Sequence, residues 1–153
     1  MPLVPIRELL GAALDKGYAV GYFESWNLES LQGVIDAAEA TRSPVIIGFN
    51  GEFLTTPSRL AVERIAWHGA LGRAAAEGAG VPCGLIFNEC PLDAVLRQAV
   101  TAGFNLVMLA DPEADYADYE RRTAELAAFA HARAAEAEEF IKRNPLRIES
   151  GKL

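Results

Sequence analysis

Carboxylates and carboxamides recur in this chain where short apolar runs end. Glu24, Ser25 and Asn27 follow YAVGYF, Asn50 closes PVIIGFN with Glu52 just beyond, Asn88-Glu89 closes VPCGLIF, and Asp111 follows FNLVML. Oxygen donors brought together from such positions can hold a hard divalent cation, raise one another's pKa values, or accept and return protons. The bland alternative is a set of solvated loop carboxylates. Trp26 lies among them and could line a pocket, whereas Trp67 sits on a helix as core or contact surface. His68 and His131 fall inside helical stretches with no ligand spacing around them and read as packing or surface residues. Cys90 is near a helix start, but no basic partner is evident beside it, so it reads as an inert small residue.

A repeating β-then-α pattern must position these groups. From Gly80 to Asp111 the chain runs as a short apolar stretch, an amphipathic helix and a second apolar stretch, a βαβ unit with parallel strands. Pro5 to Lys16 forms a helix stopped by Gly17, and YAVGYFE is a strand. A helix follows with Asn27 and Ser30 as caps, and then the strand PVIIGFN. A loop over 51–58, a helix over 58–78 with Leu60, Ile65, Leu71 and Ala75 near its buried side, and a helix over 115–133 complete the pattern. AEAEEFIKRN continues helically, and a polar end with at most one weak strand follows Asn144-Pro145. The expected fold is α/β, one domain over 1–153. Its four parallel βα units over 1–133 resemble half of a (β/α)8 barrel, and a C-terminal helix and tail occupy 134–153. Strand-end polar residues then meet on one rim, and an inner face lined by Val20, Ile47, Leu85 and Met108 lies open.

The 153 residues, 51% of them hydrophobic, suffice for one packed core. A net charge of −7 with scattered basic residues argues against a nucleic-acid or anionic-membrane surface. The amino terminus does not read as a signal peptide, and no apolar run nears the roughly 20 residues that span a bilayer. Cys83 on a strand and Cys90 at its end are poorly placed for a mutual disulfide, so a reducing, cytoplasmic setting is expected.

YAVGYFESWNLESLQGVIDAAEATRSPVII resembles the opening of the class II ketose-bisphosphate aldolases, the fructose- and tagatose-bisphosphate group, whose pattern is close to YAVGAFNxxNLE, a helix and SPVI. AAAEGAGVPCGLIFNE is similar to a segment of the form VPVALHLDHG, TAGFNLVMLAD to AGFxSVMIDGS, and TAELAAFAH to TxxVVxxAH. The order and spacing of these motifs over nearly residues 1 to 133 carry the resemblance. It implies a TIM-barrel scaffold, a phosphorylated sugar as substrate, zinc as cofactor and aldehyde-lyase chemistry in carbohydrate metabolism. The motifs are altered at the centre. The family's acid/base Asp falls on Asn88, its zinc-binding His on Glu89 and its Gly on Cys90. The Asp of MIDGS falls on Ala110, with Asp111 one place along.

If the chain is an enzyme, the strand-end rim together with these aligned positions gives Asn88 and Asp111 as catalytic positions, Asn27 and Asn50 as substrate contacts, with Asn27 the direct carry-over from the family, and Glu89 and Glu24 as metal ligands. Carboxylate ligands shift preference from zinc toward Mg²⁺ or Mn²⁺. A complete barrel needs about 250 residues, so the family's later metal histidines and phosphate-gripping loops have no counterpart here. The expectation is a homodimer completing eight strands, or a partner chain supplying the other half, with the C-terminal helix covering an edge or swapping onto the neighbour. Two functions compete: a metal-dependent lyase with altered or lost activity, and a non-catalytic binding or assembly subunit.

Overall fold

Apolar residues at helical spacing form α1 (Ile6–Lys16), which Gly17 closes in the left-handed conformation at φ 69°. There follow β1 (Gly21–Glu24), α2 (Leu28–Thr41), β2 (Val45–Asn50), α3 (Gly51–Thr55), α4 (Ile65–Gly78), β3 (Cys83–Cys90), α5 (Asp93–Ala102), β4 (Leu106–Leu109) and α6 (Tyr116–Arg143). This computed structural model describes residues 3–143, with side chains through 139. The expected tail at 144–153 lies outside the described residues. The four strands form one sheet in the order β1-β2-β3-β4, each neighbouring pair parallel, as the βα repeat implied.

The two sheet faces are assigned differently from the expectation. Ile47 and Leu85 are fully buried on the helix side, with Phe49, Phe87, Leu31 and Leu96 in the main core. The opposite, inner face carries Ile46, Ile86 and Leu106, and α1 covers part of it through Leu9 and Ile6. A parallel strand buried on both faces reads as a continuous apolar run, so its sequence does not say which side meets the helices. The inner face is thus partly sealed by the chain's own first helix, although Met108 remains exposed on it. Ile6 also lies against Gly84, near the start of β3, so the covered part is the amino-terminal half of the sheet.

Other differences are local. The stretch after Asn50 contains the short helix α3, and α4 begins at Ile65 rather than near residue 58, leaving Leu60 fully exposed. α6 is one continuous helix whose residues 131–139 are all exposed. β3 and β4 slip register between Phe87 and Cys90, where Asn88 and Glu89 together oppose Met108. This is a β-bulge, and Glu89 adopts φ 52°, a left-handed backbone rare for a residue with a side chain.

Candidate functional site

β2 lies between β1 and β3, so a side chain at its end, Asn50, can reach the ends of both flanking strands. Asn50 caps α3 by accepting the Phe53 backbone N–H at 2.8 Å, which turns its Nδ2 toward the sheet's inner rim. That amide donates to Glu24 Oε2 at 3.1 Å and to Glu89 Oε2 at 2.9 Å. The Tyr22 hydroxyl also donates to Glu24 Oε2, at 3.2 Å. Burial, followed by the nearby Glu24 and Glu89 carboxylates, pushes the Tyr22 phenol well above its usual pKa, so it remains a neutral donor. Sequence reasoning missed Tyr22, although its place two residues before Glu24 puts it on the same strand face.

Asn88 pairs in register with Asn50, and strand alternation opposite the core residue Phe87 directs it to the same inner face. It is only 7% exposed. A neutral carboxamide cannot act as a proton-abstracting base. Gly51 lets α3 lie against the end of β3, because a Cβ there would meet the Cys90 Cβ at 2.5 Å.

Asp111 does not join this cluster. Arg122 of α6 donates to Asp111 Oδ2 at 2.6 Å, to Asp93 Oδ1 at 2.7 Å and to the Pro91 carbonyl at 2.7 Å, with Asp118 at 3.4 Å. The hydrogen bond from Arg122 holds the Asp111 carboxyl below its usual range, the opposite of what a proton acceptor near neutrality requires. Asn27 is likewise engaged: its side chain accepts the Ser30 N–H at 2.8 Å while Ser30 Oγ accepts the Asn27 N–H at 3.1 Å, a capping box at the start of α2. The rim expected from the strand ends therefore gathers Glu24, Asn50 and Glu89 and leaves Asp111 and Asn27 in structural contacts. Arg122 was missed because its partners Asp93 and Asp111 are long-range contacts; only the i, i+4 spacing from Asp118 was visible locally.

Around the rim, Trp26 and Phe53 pack edge to face at 4.4 Å, both substantially exposed, and the Arg59 guanidinium lies 4.5 Å from the Phe53 ring centre. His68 packs against Phe49 at 5.0 Å and His131 is exposed on α6, so both are the packing or surface residues expected. Cys83 and Cys90 are free and buried. Burial, aided by Glu39, pushes the Cys83 thiol up to about 11, and burial also raises Cys90.

Among the described residues no group of three or more His, Cys, Asp or Glu is placed to hold a metal. The carboxylates that meet at Asn50 number two, Glu24 and Glu89, short of the three or four donors usual for zinc. No helix of the described residues is long and apolar enough to cross a membrane.

Residues 4–140 match the family model for class II fructose-bisphosphate aldolase. The chain is 30% identical over 145 residues to the fructose-bisphosphate aldolase of Geobacillus stearothermophilus, covering 90% of this chain and 47% of that protein. It is 54% identical over 48 residues to a probable fructose-bisphosphate aldolase of Bacillus subtilis, a stretch covering 31% of this chain and 17% of that one. The crystal structure of the YdjI aldolase from Escherichia coli K12 superposes with a TM-score of 0.73 at 32% identity, over 86% of this chain and 49% of that one. The chain thus spans less than half the length of these relatives. It belongs to the class II fructose-bisphosphate aldolase family.

Proposed function

We propose that this chain is a class II aldolase-like protein whose metal-dependent aldehyde-lyase chemistry is altered or lost in its half-barrel. On this reading, Glu24 and Glu89 hold a divalent cation, Mg²⁺ or Mn²⁺ in preference to zinc, and the rim receives a phosphorylated sugar. The meeting of two carboxylates from non-adjacent strands on the single Asn50 amide carries the reading. A bound cation there would neutralise phosphate charge and polarise a carbonyl. Tyr22 and Asn50 orient the carboxylates, Asn88 offers the ligand a carboxamide without taking its proton, and Trp26 and Phe53 supply an apolar wall. Asn27 and Asp111 act at a distance, by fixing α2 and α6. Buried free thiols are consistent with a cytoplasmic protein.

A second reading, a non-catalytic subunit that pairs with itself or a partner to complete a barrel, draws on different observations. Asn88 is neutral and Asp111 is tied to Arg122, so neither favours proton transfer. The edges of β1 and β4 are unpaired among the described residues. Beside β4, a groove of about 240 Å³ is lined by Val107, Met108, Leu109, Tyr119, Thr123 and Leu126 among others.

Thermal melts with and without Mg²⁺, Mn²⁺ or Zn²⁺, run on the wild type and Glu89→Ala, test the first reading. The expected outcome is stabilisation of the wild type by Mg²⁺ or Mn²⁺ that Glu89→Ala abolishes. Equal responses in the two proteins would remove the cation site and leave the assembly reading.

A further inference from the structure

Asn50 uses both of its N–H groups and one lone pair of its oxygen. Its oxygen is taken by the Phe53 N–H, which also fixes the amide's orientation, and its two N–H groups go one to each carboxylate. Both are received on Oε2, leaving the Oε1 atoms of Glu24 and Glu89 with no donor from the described residues. Glu89 reaches the amide from a left-handed bulge, a conformation that persists only where its surroundings hold it. Asn88, more than nine-tenths buried, faces the same rim with no side-chain hydrogen bond from the described residues.

We infer that Asn50 is the positioning residue of this rim and not one of its substrate contacts. Its amide anchors one oxygen of each carboxylate, so that the other two oxygens face a shared ligand, and its capping bond ties that arrangement to α3. The inference rests on the proposed cation site for the ligand's identity, but the clamp itself is a property of the ligand-free chain. Hydrogen-bonded partners of this kind orient ligating carboxylates, and their removal weakens metal binding about 10–100-fold.

The test is a titration of the full chain with Mn²⁺, free ion being read by electron paramagnetic resonance, for the wild type, Asn50→Ala and Thr55→Ala. The last variant removes a hydrogen bond to the Gly51 carbonyl within α3 without touching the amide. Asn50→Ala is expected to bind Mn²⁺ about 10–100-fold more weakly, and Thr55→Ala to bind as the wild type does. Unchanged binding by Asn50→Ala, or an equal loss in Thr55→Ala, overturns the inference. The clamp is also read without metal. The Asn50 side-chain amide protons should exchange slowly in NMR spectra and shift on Glu24→Gln and on Glu89→Gln. Fast exchange with no response overturns the clamp. A wild type that shows the clamp but ignores Mn²⁺ overturns only the cation reading.

Discussion

Glu89 combines a backbone that favours glycine with a side chain that the rim uses. The two contributions separate by mutation. Glu89→Ala keeps the left-handed strain and loses the bond to Asn50, whereas Glu89→Gly loses the same bond and relieves the strain. Glu89→Gly should therefore be the more stable variant by about 1 kcal/mol, a difference readable by denaturant titration; equal stability would mean the bulge relaxes when the side chain is lost. The Asp111–Arg122 pair gives a pH signature. Its folded pKa lies below the ordinary value of 3.8, so its contribution is complete above that value and is lost as pH falls through the folded one. Arg122→Met should lower the melting midpoint by several degrees near neutrality, and the gap from wild type should narrow only below about pH 4. A gap that persists undiminished at the acid limit would assign the effect to packing. Chemistry at these positions was only half legible. Residue type marked Glu24, Asn50 and Glu89 as donors, but that one amide joins two of them depends on strand order and on the α3 cap.

At the scale of elements, start and stop signals were readable because each has a local cause. Asn27 with Ser30 opens α2 and Gly17 closes α1, and both do so by the geometry their residue types favour. Asn27→Ala should cost about 1 kcal/mol, while Asn27→Ser, itself a good cap, should restore most of it. Thermal melts decide this, and a loss of stability in Asn27→Ser equal to that in Asn27→Ala would mean the carboxamide has a contact beyond the cap. Illegible features depended on distant partners. The start of α4 was placed too early because Leu60 and Val62 look apolar in sequence yet lie exposed on the loop before Ile65. The faces of β2 and β3 were exchanged because apolar residues occupy both sides, and only the packing of Ile47 and Leu85 under the helices distinguishes them.

For the whole molecule, the question is what lies beside β1 and β4, the edge strands of the sheet among the described residues. Among the described residues β1 and β4 each pair with a strand on one side only, edges that favour association, and a two-fold arrangement that places β1 of each copy beside β4 of the other would satisfy both at once. The side chains suit that pairing. Tyr22 and Glu24 share the inner face, so Phe23 between them points to the helix side, where its ring lies over Gly21 and is 54% exposed. On the opposite edge, the groove of about 240 Å³ between β4 and α6 opens on that same side of the sheet, lined by Val107, Leu109, Tyr119 and Leu126. A phenyl ring from the neighbouring copy would fill it, and the two rims would then face one another across a single mouth. Sedimentation equilibrium should therefore give twice the 16.5 kDa chain mass for the wild type. Phe23→Lys should give a monomer with unchanged helical circular dichroism, because the charge forbids burial in the groove while the half-exposed position can send an ammonium to water in the protomer. A wild-type monomer, or a Phe23→Lys variant that dimerises as well as the wild type, would remove this interface. The rim would then have to act alone or with a different chain.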